Sequence, residues 1–235
     1  MKSSLLSTTR ALPPADAYLF DIDGTLLNAR DGVHYHAFHA ALREVYGLEA
    51  QIDGVPVHGN TDPGILRAVA RRGGVSDPDF EKKLPAAIAC MCAAATRNAR
   101  DMAPELCPSV AELLRALHQQ GKLLGVVSGN LEAIGWLKLK AAGIKQYFAF
   151  GSFSDQRESR ADIFRHGMQE VRQRLGASSR TCFVGDTPSD VEAARQLGSP
   201  ILAVATGIFT CADLQAYAPD ACVSCCSELL RKIDE

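Results

Sequence analysis

Acidic residues recur in this chain at spacings suited to chemistry at phosphorus. Asp21-Ile22-Asp23-Gly24-Thr25 sets two carboxylates two residues apart, ahead of a turn-forming glycine. Ser128-Gly129-Asn130 offers a hydroxyl beside backbone amides, and Gly185-Asp186-Thr187-Pro188-Ser189-Asp190 supplies two more acids. In an extended strand Asp21 and Asp23 point to the same side, whereas a turn at Gly24 lets the second swing over the first. One carboxylate can then attack an electrophile while its neighbour handles a proton. An aspartate nucleophile suits phosphorus when a cation neutralises both the carboxylate and the incoming phosphate. Carboxylates crowded in this way repel one another unless a cation sits among them. Oxygen-only ligands favour a hard divalent ion, here Mg²⁺.

The elements that must position these residues are legible as short apolar runs. Tyr18-Leu19-Phe20, Leu123 to Val127, Tyr147 to Phe150, Thr181 to Val184 and Ile201 to Val204 are continuous rather than alternating, the pattern of strands buried on both faces. Helical segments at 109–120, 131–142, 161–175 and 190–197 lie between them, with Gly121, Gly143, Gly176 and Gly198 at C-cap positions. This alternation predicts an α/β fold, a Rossmann-like parallel sheet with helices on both faces. Ligands of such a sheet gather beyond the carboxyl ends of its strands, where Asp21, Ser128 and Asp186 fall. Taken alone, DIDGT could be a strand end and an ordinary Asp-Gly turn. Equivalent polar clusters at three strand ends outweigh that reading.

Residues 28–107 break the rhythm. They contain no buried-strand run, and their periodic segments, 35–46, 65–70 and 86–95, are helical, with turns at Asp53-Gly54, Asp62-Pro63-Gly64 and Gly73-Gly74. The expected organisation is an α/β core of 1–27 and 108–235 carrying an inserted helical cap at 28–107. Residues 1–15 read as a flexible tail, and Asn28 and Arg30 as hinge candidates.

The motifs DIDGTL, VVSGN and GDTPSDVEAA, in this order, resemble those of haloacid-dehalogenase-superfamily hydrolases, in the phosphoglycolate-phosphatase-like branch with a helical cap. The likeness covers about 17 to 232. It implies a phosphatase with Asp21 as the nucleophile that forms an aspartyl-phosphate, and Asp23 as the acid and base. It implies that Ser128 and the amides of Gly129 and Asn130 hold the phosphoryl oxygens, with Gly24 and Thr25 also on the phosphate side. Mg²⁺ would be bound by Asp21, Asp186 and the backbone carbonyl of Asp23, with Asp190 acting through water or by orienting Asp186. The family usually places a lysine between its second and last motifs; here 154–164 contains none. Arg160 takes that cationic role in our reading, with Arg157 second, arginine being a permanently charged fork.

The cap opening His34-Tyr35-His36-Ala37-Phe38 resembles that of related phosphatases and mutases, which makes His34 a substrate-side or proton-relay candidate. A dehalogenase lacks the second acid present here as Asp23. A phosphonate-cleaving relative needs a cap lysine, and only Lys82 and Lys83 occur, in a solvated-looking run. A sugar-phosphate mutase must anchor a second phosphate; the cap segment 58–64 has no Arg or Lys, although Arg67, Arg71 and Arg72 follow. A non-enzymatic phospho-aspartate signalling module would need neither the helical insertion nor Asp23. Phosphatase action on a small phosphorylated metabolite is the leading expectation, with the mutase second.

Composition narrows the partners. The 235 residues carry a net charge of -2, with 47% hydrophobic and 22% charged residues, so nothing in bulk electrostatics invites nucleic acid or anionic membrane. No apolar run approaches the roughly 20 residues of a membrane span, and the first residues lack a signal peptide's apolar stretch. The expectation is a cytoplasmic monomer or homodimer. Eight cysteines in such a chain do not suggest a disulfide framework, and ACVSC reads as a short buried strand leading into a helix, with cysteine as a small apolar residue. Cys222 and Cys225 form a C-x-x-C without a second ligand pair, and Cys226 follows directly, with no role assigned.

Overall fold

The computed structural model describes residues 15–233, so the tail expected at 1–15 lies almost wholly outside the described residues. The chain enters through β1 (Ala17–Phe20), whose four residues are all buried. A tight turn leads to β2 (Leu27–Asn28), then to three helices, α1 (Val33–Tyr46), α2 (Asp62–Arg72) and α3 (Asp77–Arg97). The return passes through β3 (Glu105–Leu106), which pairs antiparallel with β2, so a two-stranded ribbon links the helical layer to the rest. Asn28, a hinge candidate, sits in this ribbon.

From there strand and helix alternate: α4 (Val110–Gln119), β4 (Leu123–Val127), α5 (Glu132–Ala141), β5 (Phe150–Ser152), α6 (Arg160–Leu175), β6 (Thr181–Gly185), α7 (Pro188–Gln196), β7 (Ile201–Val204), α8 (Cys211–Gln215), β8 (Ala221–Val223) and α9 (Cys226–Ile233). The six-stranded sheet has the order β5-β4-β1-β6-β7-β8, with every pairing parallel. Side chains alternate across it. Tyr18, Phe20, Val126 and Val184 pack with Leu114 of α4 and Leu229 of α9, while Leu19, Phe183 and Ala203 pack with Phe164 of α6 and Val191 of α7. Both faces are thereby covered, as the continuous apolar runs require.

The helical layer has its own apolar cluster, in which Phe38, Leu42, Leu66, Phe80 and Met91 meet Leu131 and Ile134 at the start of α5. Its third helix is longer than expected. Ser76 caps it by accepting from the Asp79 amide, Pro78 occupies its first turn, and it runs on through Pro85. The polar stretch Glu81-Lys82-Lys83 hides the helical stripe there. The third core strand is displaced as well: 145–147 forms a 3₁₀ turn, with Phe148 bonded to the Lys145 carbonyl, and pairing begins only at Phe150. Phe148 is apolar because it packs edge-on against Phe20, not because it lies in the sheet. The C-x-x-C lies across β8 and the start of α9, with Cys226 buried and all eight cysteines free.

Candidate active site

Register brings the acids together. Phe20 lies opposite Val126 of β4 and Val184 of β6, so the three strands leave the sheet at one level. Asp21 follows Phe20 directly, while Ser128 and Asp186 each stand two residues beyond their partner in register. The intervening loop folds back: the Leu26 and Leu27 amides donate to the Ile22 carbonyl, and the Gly24 amide donates to Leu27. Gly24 has φ +85°, and a Cβ there would come within 2.2 Å of Asp186 Oδ2. Only glycine fits that turn beside that acid.

Carboxylate oxygens of Asp21, Asp186 and Asp190 all lie within 4.8 Å of one another, and all three residues are buried. Arg160, at the first turn of α6 and 9% exposed, reaches Asp21 Oδ1 at 2.9 Å through Nη2 and Asp190 Oδ1 at 2.9 Å through Nε. Arg157 borders a separate surface groove and not this cluster. Asp190 is fully committed: its Oδ2 accepts from the Thr187 amide at 3.0 Å and from the Thr187 hydroxyl at 2.7 Å, closing a capping box on α7. Burial pushes the Asp21 carboxyl well above its ordinary value, and Asp190 and Asp23 add to this, while Arg160 opposes. Asp186 is raised by burial and by the charges of Asp21 and Asp190.

Three carboxylates against one guanidinium leave two negative charges uncompensated, matching a divalent cation. A Cβ at Gly207 would come within 1.9 Å of Asp186 Oδ2, so the backbone leaves this carboxylate a narrow space of its own. Oxygen donors, crowding and charge fit a hard ion such as Mg²⁺. Gly24 and Thr25 serve Asp186 here: the Thr25 hydroxyl donates to Asp186 Oδ1 at 2.9 Å, and both amides are spent within the loop.

Asp23 points elsewhere. Its side chain, 41% exposed, receives Lys138 Nζ at 2.7 Å and Asn130 Nδ2 at 2.8 Å. Burial alone would raise its carboxyl, but the neighbouring Lys138 and the hydrogen bonds from Lys138 and Asn130 outweigh it and hold it low. Lys138 lies on α5 and is only 4% exposed; it also donates to Asn130 Oδ1 at 2.8 Å and meets His34 Nδ1 at 3.1 Å. An ammonium has no acceptor, so His34 Nδ1 accepts and its Nε2 carries the proton given to Asp62 Oδ2 at 3.0 Å. Asp62 also accepts from the Leu131 amide at 2.8 Å and donates its own amide to Gly129, joining α2 to the loop after β4. Ser128 Oγ, buried, accepts from Asn130 Nδ2 at 2.9 Å and from the Asn130 amide at 3.3 Å.

Lys138 and Asp62 escaped sequence reasoning. The signal for Lys138 was its place with Ile134, Gly135 and Leu139 on the buried stripe of α5, where a lysine requires a partner. Asp62 looked like a turn residue before Pro63.

A cavity of about 250 Å³ opens onto Asp21, Asp23, Ser128, Asn130 and Arg160 on one side and onto His34, Phe38 and Ile65 of the helical layer on the other. No helix among the described residues is long and apolar enough to cross a membrane. The solved structure of CbbY from Rhodobacter sphaeroides in complex with phosphate superposes with a TM-score of 0.69 at 17% identity, covering 94% of this chain and all of that one, a likeness of fold. "Probable phosphatase IndB" of Dickeya dadantii is 30% identical over 90% of both chains, and a phosphoglycolate phosphatase of Synechococcus elongatus is 26% identical over 93% of this chain and 97% of its own. The family model for haloacid dehalogenase-like hydrolases matches residues 15–198. With that match joined to a parallel sheet whose central strands deliver Asp21, Ser128 and Asp186 to one rim, the chain belongs to the haloacid dehalogenase-like hydrolases and is an enzyme of their phosphatase kind.

Proposed function

We propose that the chain is a Mg²⁺-dependent phosphomonoester hydrolase that works on a small phosphorylated metabolite through an aspartyl-phosphate on Asp21. The observation that carries this is Asp21 itself, buried at the end of the central strand, clustered with Asp186 and Asp190, and held at 2.9 Å by Arg160. A divalent ion bound by Asp21, Asp186 and the Asp23 carbonyl would offset the charge that otherwise keeps a phosphate from a carboxylate. Asp190, saturated by Arg160 and Thr187, orients the arginine rather than offering a free ligand oxygen.

In the first step an Asp21 carboxylate oxygen attacks phosphorus, the ester P–O bond breaks, and the leaving oxygen takes a proton from Asp23. In the second, Asp23 removes a proton from water, the water oxygen attacks phosphorus, and the Asp21–phosphorus bond breaks to release inorganic phosphate. Both carboxylates return to their starting states. A bound phosphate dianion favours protonated Asp23 while Lys138 favours the ionised form, so these neighbours set the balance between its two duties. The Ser128 hydroxyl, which accepts twice from Asn130, still has its own proton to donate to a phosphoryl oxygen, and Arg160 holds Asp21 for attack.

Residues 28–107 would act as the cap that excludes bulk water, hinged at the β2–β3 ribbon. The same reading takes the enzyme as a cytoplasmic monomer or homodimer. The test is turnover of p-nitrophenyl phosphate with Mg²⁺, with and without EDTA. Metal-dependent release of p-nitrophenol supports the hydrolase, whereas a stable phosphoprotein without turnover refutes it.

A further inference from the structure

We propose that the leaving-group half of the pocket selects phosphate esters of uncharged alcohols with an apolar body, and rejects esters bearing a carboxylate or a second phosphate. This rests on the hydrolase reading above. An anionic leaving group would need a cation on the cap wall, and the three arginines of α2 are engaged elsewhere. Arg67 is held by Glu158 at 2.6 Å and Glu81 at 2.7 Å. Arg71 forms a two-pronged pair with Asp77 at 2.7 and 2.8 Å, and Arg72 donates to the Asp53 and Gln51 carbonyls. None of the three lines the cavity.

Among the described residues, the only lysine or arginine side chains lining it are Lys138 and Arg160, each already neutralised by catalytic acids. The imidazole of His34 is occupied at both nitrogens, by Lys138 and Asp62, which leaves the exposed His58. The cap side instead contributes two carboxylates, Asp31 and Asp62, fixed by backbone amides of Val33, Ala103 and Leu131. The apolar part of the wall is Phe38, Ile52, Val57 and Ile65, beside Tyr35 and Asn60. A carboxylate or phosphate placed there meets like charge and no free lysine or arginine of the lining, whereas an apolar alcohol loses nothing by leaving water.

The experiment compares kcat/KM for benzyl phosphate, phosphoglycolate and a hexose bisphosphate with the Mg²⁺-loaded enzyme, and repeats it with His58→Arg. Benzyl phosphate should exceed both anionic esters by on the order of 100-fold. His58→Arg, which adds a permanent cation at an exposed position of the wall, should shrink that ratio about tenfold or more while leaving the enzyme folded. Phosphoglycolate or the bisphosphate turned over as well as benzyl phosphate overturns the inference but leaves the hydrolase standing. A ratio unmoved by His58→Arg overturns the charge argument. No turnover of any ester overturns the hydrolase reading and this inference with it.

Discussion

Removing Arg160 should cost more than any other single change outside the acids themselves. Its guanidinium joins Asp21 and Asp190 in a pocket closed to solvent, with Asp190 wholly buried and Asp21 nearly so. Breaking a buried ion pair by deleting one partner costs about 3–5 kcal/mol, because the abandoned charge stays buried. In Arg160→Ala part of this falls on folding and part on the transition state, where Asp21 loses the group that keeps it ionised and aimed. Were all of it felt in catalysis, kcat/KM would fall by about 10² to 10⁴. Arg160→Lys keeps the charge but has no planar fork to meet both acids, and a loss of about tenfold is expected. Steady-state kinetics with p-nitrophenyl phosphate at saturating Mg²⁺ measures both variants, with circular dichroism to verify folding. The Ala variant, stripped of the compensating cation, should still bind Mg²⁺ in a calorimetric titration. A folded Arg160→Ala enzyme within about threefold of the parent would refute the reasoning, since kcat/KM would then owe nothing to the ion pair.

The other consequences are smaller or subtler. Lys138→Met releases Asp23 from the cation that holds its carboxyl low, so the limb of the pH–rate profile belonging to Asp23 should move to higher pH; an unmoved profile contradicts the assignment. The raised carboxyls of Asp21 and Asp186 make the metal-free fold bind more protons than the unfolded chain, so its stability falls as pH rises from the ordinary carboxylate range towards neutrality. Mg²⁺ needs the ionised acids, and at about 100 times its Kd should raise Tm by roughly 5–10 °C near pH 8, with a much smaller rise near pH 5. Scanning fluorimetry at both values checks the sign. Glu158→Ala, which cuts the partly exposed bridge to Arg67 of α2, should lower stability by less than about 1 kcal/mol in urea unfolding.

The strands at 17–20, 123–127, 181–184 and 201–204 were legible because burial on both faces leaves an unbroken apolar run. β5 was misplaced by three residues because Tyr147 and Phe148 are apolar for packing reasons outside the sheet. In the site, Asp21, Ser128 and Asp186 could be named from strand ends alone, whereas Arg160 was a candidate only through the resemblance to a family that places a lysine in this stretch. The hydrogen bond from Thr25 to Asp186 was illegible, since the two residues meet only through the register of β1 and β6. Lys138 was illegible as a partner of Asp23 because the pair spans 115 residues of sequence and no local pattern encodes it.

The most direct test of the account is acid quenching of the enzyme during turnover, followed by peptide mapping by mass spectrometry. The phosphoryl group should be found on the peptide containing Asp21, and it should be absent from Asp21→Asn, which should also be essentially inactive. A phosphoryl group carried by any other residue, or an Asp21→Asn enzyme with substantial activity, would contradict the central claim.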